Sequence, residues 1–323
     1  MQRHSLNPST ALLLTVPPIL WAGNAVVGRL VRDAVPPMTL NLIRWSIALA
    51  ILVPLGRAAL RAGSGILSNW KRYSLLGLLG VGLYNSLQYL ALQTSSPINV
   101  TLVASGVPVW MLLVGRLFFN VPVRRRQVMG AVLSIAGVLV VLCRGDLAQL
   151  AALRLVAGDL YMILATIAWS FYSWLLMQQK DVPALRADWA AFLLAQVAYG
   201  VLWSGVLAGG EWALKDVAIT WSWPLLAALL YVAIGPAILA MRCWGAGVQR
   251  AGPTLGSFFI NLTPLFTALL SSTFLGEAPH LYHALAFAMI VGGIAPEFRS
   301  LDRQPATAHA VTVAVIGNTG CGR

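Results

Sequence analysis

Polar and aromatic side chains recur at helical spacing inside stretches that otherwise avoid water. Trp21 and Asn24 are three apart, Tyr84 and Gln88 are four apart, and so are Asn85 and Tyr89. Further on come Trp169, Tyr172 and Ser173, and then Ser257 and Asn261 just ahead of Pro264. Residues three or four apart lie on one face of a helix, so each set meets one neighbour or one cavity. Amides hydrogen-bond carboxylates, amines and carbonyls, while indole and phenol rings offer apolar faces that also attract organic cations. The set suits a small amphipathic organic solute better than a bare ion. The same residue types also tie helix pairs together and anchor helix ends at an interface.

One side chain stands apart. In "NLIRWSIALAIL", residues 41–52, a single arginine, Arg44, interrupts an apolar run. A guanidinium near the middle of a bilayer costs roughly 2.5 to 3.5 kcal/mol on insertion scales. Arg44 lies seven residues past Pro37, about 10 Å at 1.5 Å per residue. Two readings follow. Either Arg44 snorkels or bonds backbone carbonyls of a neighbouring helix, or it lines the outer half of a central cavity near Asp33, Asp159 or Glu277 and orients an anionic group.

Other chemistries lack their residues. Cys143, Cys243 and Cys321 are too far apart in sequence to indicate a metal site, so neither metal nor cofactor is expected. An intramembrane enzyme, the alternative function class, needs clustered nucleophiles or acids, and no HExxH, GxSxG or paired intramembrane aspartates occur. Acidic residues fall at the ends of apolar runs, in connectors or in the tail. Facilitated diffusion or exchange is therefore favoured over proton coupling, with Asp159 and Glu277 as the outer-end acids available to it.

These residues need elements to position them. The chain has 323 residues, 59% apolar and only 10% charged, against roughly 25% charged in soluble domains. Apolar windows of about the length needed to span a bilayer fall at 11–31, 37–55, 73–93, 98–119, 127–143, 157–177, 189–208, 222–241, 254–274 and 280–296. Their length and lack of alternation make them helices rather than barrel strands. The net charge of +12 lies mostly in the connectors, so it indicates membrane topology and not nucleic acid. Thirteen lysines and arginines fall on the side of the termini and five on the other, which predicts cytoplasmic termini.

The chain also repeats. "PVWMLLVGRLFFNVP" at 108–122 aligns with "PLFTALLSSTFLGEA" at 264–278, and the same 156-residue offset pairs Gln93 with Gln249. Trp21 pairs with Trp169 at an offset of 148. Two five-helix halves follow, at 1–147 and 148–297, with a tail from 298 to 323 expected to be disordered. Because five is odd, the halves are inverted, a plan that secondary transporters use to hold a solute near the midplane.

The stretches "LWAGNAVVGRL", "VPPMTLNLIRW" and "NLTPLFTALLSSTFLGEAP" resemble the EamA-type ten-helix carriers of the drug/metabolite transporter superfamily, over about residues 11–296. The resemblance implies export or exchange of small metabolites, amino acids or drug-like compounds across an inner membrane. It leaves the particular solute and the oligomeric state open. One departure stands out: Val121 occupies the position where the second half has Glu277.

Overall fold

In the computed structural model, residues 7–31, 33–95, 100, 103–143, 145–146, 148, 156–214, 216–275 and 281–302 are described. Regular structure among them is entirely helical. The helices are α1 (Pro8–Leu30), α2 (Pro37–Leu55), α3 (Trp70–Thr94), α4 (Val107–Phe118), α5 (Arg125–Leu142) and α6 (Ala157–Met177). They continue with α7 (Trp189–Leu214), α8 (Trp223–Ala251), α9 (Pro253–Ile260), α10 (Thr263–Leu275) and α11 (Leu281–Asp302). Six of these, α1 to α3 and α6 to α8, contain stretches long and apolar enough to cross a bilayer.

The helix ends follow local chemistry. Asn7 accepts from the Thr10 amide at 2.9 Å to cap α1, and Ser222 caps α8 in the same way. The cap of α2 comes from another helix: Glu211 of α7 accepts from the Thr39 amide and hydroxyl, both at 2.9 Å. Between α8 and α9, Gly252 adopts φ 87°, a conformation in which a side chain would clash.

Several boundaries depart from the predicted spans. α8 runs ten residues past the expected end at 241, carrying Arg242 and Arg250 on its last turns. α11 continues to Asp302, so residues 298–302 are helical where a disordered tail was expected; the tail from 303 lies outside the described residues. The span expected at 254–274 is split by a turn at Asn261 and Leu262. The span expected at 98–119 has a matching turn at Ser105 and Gly106. Proline explains both, because Pro108 and Pro264 have no N–H to donate to the carbonyl four residues back. α3 and α8 are also irregular, with π-helical turns at Leu78–Leu83 and Ala233–Leu239. An apolar window cannot reveal these breaks, since hydropathy does not register which backbone bonds are made.

Packing is closest where small residues let backbones meet. A methyl group added at Gly130 would fall 2.5 Å from the Gly293 carbonyl oxygen, and one added at Gly293 would fall 2.6 Å from that of Gly130. This contact joins α5 to α11 along much of their length. Other broad contacts pair α2 with α7, α3 with α6, and α1 with α8.

At the end of the bundle where α3 begins and α6 finishes, an ion-pair cluster ties α3 to the segment after α6. Arg72 Nε lies 2.7 Å from Asp181 Oδ1, and Arg186 Nη1 lies 2.7 Å from Asp181 Oδ2. Both guanidiniums also donate to carbonyls at the C-terminal end of α6: Arg72 to Leu175 and Gln178, Arg186 to Leu176 and Gln178. They thereby satisfy acceptors that the helix leaves open. The Asp181 side chain is fully buried, whereas the arginines keep 12% and 16% exposure. Removing a buried partner costs about 3 to 5 kcal/mol, and the partial solvation of the arginines places this case at the low end. Asp181→Ala is therefore expected to lower the unfolding temperature in detergent clearly, and Asp181→Asn to lower it less. No change in either variant would show that the carbonyl contacts suffice.

Candidate functional site

α1, α2, α3, α6, α8, α9 and α10, with Val100, Ala104 and Ser105 ahead of α4, surround a cavity of about 1080 Å³. Its wall runs from fully buried Trp45 and Asn261 to exposed Leu30 and Asp33. It therefore opens at the end of the bundle where α1 finishes and α2 begins. Leu14, Met111, Trp244 and Phe258 are fully buried in the packed core and do not line it.

The floor is aromatic. Trp169 on α6 lies 5.3 Å from Trp21 on α1 in an edge-to-face arrangement, 5.0 Å from Tyr84 and 5.4 Å from Trp244. Such pairs add to ordinary burial through their quadrupoles. Trp21 Nε1 reaches the Pro236 carbonyl at 3.4 Å, inside the π-helical stretch of α8.

Arg44 stands in the wall beside this floor, only 1% exposed. Its Nη1 donates to Tyr89 Oη at 2.9 Å, Asn85 Oδ1 at 3.2 Å and Asn24 Oδ1 at 3.3 Å. Tyr89 Oη in turn donates to Asn24 Oδ1 at 3.4 Å. Both sequence readings of Arg44 need amending. It does not snorkel, since it is buried, and its bonds go to side chains rather than backbone carbonyls. It lines the cavity as the second reading held, but all three of these acceptors are neutral.

Of the other sequence-selected residues, Trp21, Asn24, Tyr84, Asn85, Gln88, Trp169 and Asn261 line the same cavity. Tyr89 sits behind the wall, holding Arg44. Tyr172 does not line it: its ring backs Trp169 at 5.1 Å, and its hydroxyl donates to Gln196 of α7 at 3.0 Å. Ser257 is also turned away, donating to the Thr254 carbonyl within α9. Four-residue spacing joins Ser257 to Asn261 only in an unbroken helix, and the turn at Asn261 ends that relation. Asp159 is committed elsewhere, accepting from Ser95 and from the Val156 amide at the start of α6. Glu277 lies outside the described residues.

A family model described as the EamA-like transporter family matches residues 8–143 and again 156–295. The chain belongs to the EamA-like transporter family. An uncharacterized transporter of Archaeoglobus fulgidus is 27% identical over 294 residues, covering 90% of this chain and 97% of that one. The aromatic amino acid exporter YddG of Ancylobacter novellus is 26% identical over 290 residues, again covering 90% and 97%. A solved crystal structure superposes with a TM-score of 0.70 at 24% identity, over 92% of this chain and 99% of that one, and supports the fold. The protein is thus a multi-pass membrane transporter of small molecules and not an enzyme.

Sequence reasoning missed Trp45, Trp244, Tyr231 and Ser105. Trp244 fell beyond the predicted end of its span, yet the 156-residue offset maps it onto Gln88, already a candidate. Trp169 is the ring on which the floor depends, so Trp169→Ala is expected to cost about 3 to 5 kcal/mol, read as a large drop in unfolding temperature. Trp169→Phe keeps most ring contacts and should lose much less. Equal losses would show that the cluster is not packed through this ring.

Proposed function

We propose that the protein carries a small amphipathic organic solute, such as an amino acid, amine or drug-like compound, across the inner membrane by alternating access. Both termini would be cytoplasmic. The ten predicted spans then form two inverted repeats, residues 1–147 and 148–297, with the solute held between them. The observation that carries this reading is the cavity, open where Leu30 and Asp33 are exposed and walled by helices from both halves.

The repeat reading has support in the irregularities. The turns at Ser105–Gly106 and Asn261–Leu262 are 156 residues apart, as are Pro108 and Pro264. The π-helical turns in α3 and α8 are separated by nearly the same interval. Contacts follow the same relation: α1 packs on α8 as α6 packs on α3. Discontinuous helices near the midplane are a recurring feature of transporter solute sites.

The floor of Trp21, Tyr84 and Trp169, backed by Trp244, suits a solute with a flat apolar part. That character agrees with the activity named for the Ancylobacter novellus relative, an aromatic amino acid exporter. The opening where α1 finishes and α2 begins is then the releasing side of an exporter.

Reconstituted protein should exchange labelled aromatic amino acids or amines across liposomes with no chemical change in the solute. Flux should persist without an imposed pH gradient, as expected of a facilitator or exchanger. Conversion of the solute would overturn the carrier reading, and strict dependence on the gradient would overturn the coupling assignment.

A further inference from the structure

We propose that the solute bears a carboxylate, and that Arg44 receives it side-on through Nε and Nη2 while Asn24, Asn85 and Tyr89 act as positioning residues. The proposal rests on the carrier reading above and specifies the ligand chemistry of the same cavity.

A guanidinium presents its donors along edges. The Nε–H and one Nη2–H are parallel and match the two oxygens of a carboxylate. In Arg44 the opposite nitrogen, Nη1, is engaged by the three oxygens of Asn24, Asn85 and Tyr89. Among the described residues Nε is buried with no acceptor and does not face the open space of the cavity, so a carboxylate that bonds this edge displaces the side chains that cover it. No described group accepts from Nη2, and that nitrogen is not sealed from the cavity that Arg44 lines. The protein therefore holds one end of the fork and leaves the other edge unmatched.

Burial sharpens this point. An arginine cannot discharge itself by losing a proton, since it stays ionised at any pH a protein experiences. A buried charge held by three neutral oxygens and the face of the Trp45 ring, 5.2 Å from Cζ, has lost its water without gaining a counter-charge. An anionic solute group supplies that charge when it enters. Nearby donors point the same way, because the indole N–H groups of Trp45 and Trp169 in the lining, and of Trp244 behind it, also lack acceptors among the described residues.

The wall also limits the kind of anion. Arg44 is the single cation among the described lining residues, and the single carboxylate there is Asp33 at the mouth. A doubly charged phosphate ester would bring one charge more than Arg44 can offset, next to an aromatic floor. A monocarboxylate is matched by one guanidinium edge, and its apolar remainder fits the rings.

Three probes of one shape separate the contributions: 3-phenylpropionate, its neutral isostere 3-phenylpropanamide, and phenethylamine. Their affinities for the full-length protein in detergent can be read by calorimetry. The carboxylate is expected to bind roughly 10- to 100-fold tighter than the amide, and phenethylamine no better than the amide. Arg44→Gln should erase that preference, and Arg44→Lys, which keeps the charge but not the fork, should retain part of it. Tyr89→Phe should narrow the carboxylate-to-amide ratio and, because it removes the shortest acceptor of the buried guanidinium, should also lower the unliganded unfolding temperature. A merely structural role for Tyr89 would leave the ratio unmoved.

Equal binding of acid and amide to the wild type overturns the proposal, as does a preference that survives Arg44→Gln. Failure of all three probes to bind overturns it too. The carrier reading is judged separately by flux in liposomes, so amine transport with no carboxylate preference would sink this inference and leave that one standing.

Discussion

Hydrocarbon offers a peptide group no hydrogen-bond partner, and each unsatisfied group there costs several kcal/mol. Regular helix is the default answer, and any departure from it has to occur where something other than lipid meets the backbone. Four departures stand out among the described residues: the π-helical turns of α3 and α8, and the turns at Ser105–Gly106 and Asn261–Leu262. All four border the cavity. Tyr84 directly follows the first, Pro236 lies within the second, and Ser105 and Asn261 line the wall themselves. A cavity with polar side chains in its wall is where a broken backbone bond costs least, so the irregular segments and the cavity share one cause.

The same economy governs the acidic side chains. Glu211 caps α2, Asp188 accepts from the Ala190 and Ala191 amides at the start of α7, and Asp159 holds the start of α6. Each carboxylate sits where a helix N-terminus presents unsatisfied N–H groups and a partial positive charge. Asp181 instead joins two arginines. With these acids committed to helix ends and the cluster where α3 begins, Arg44 is left in the cavity wall with neutral acceptors.

The fold was largely legible because the bilayer imposes it. Apolar length, short connectors and the distribution of charge located the helices, and the boundaries of α2 and α6 coincide with the predicted 37–55 and 157–177. The cavity residues were legible where a helix is regular, as in the Tyr84, Asn85 and Gln88 set. Periodicity failed at Ser257, where the helix breaks before Asn261. It failed at Tyr172 for another reason: Gln196 of α7 supplies a buried partner that draws the hydroxyl away from the cavity. Spacing along one helix carries no information about a side chain offered by a neighbour. Arg44 shows the same limit, since its position was evident from the sequence but its three acceptors come from two other helices.

The two kinds of interaction around the cavity also divide between the halves. Arg44, Asn24, Asn85 and Tyr89 all come from α1, α2 and α3, so the polar cage belongs to the first half alone. The aromatic floor crosses between halves, with Trp21 meeting both Trp169 and Trp244. In a carrier that rocks one half against the other, the cage can travel as a unit while the ring contacts are exchanged. That division suits the physics of each. Charge-assisted hydrogen bonds are directional and costly to break in a buried setting, whereas ring contacts rest on dispersion and a shallow quadrupole preference that many geometries satisfy. The seam between the halves therefore runs through the interactions that tolerate sliding, and the Arg44 cage stays intact on one side of it.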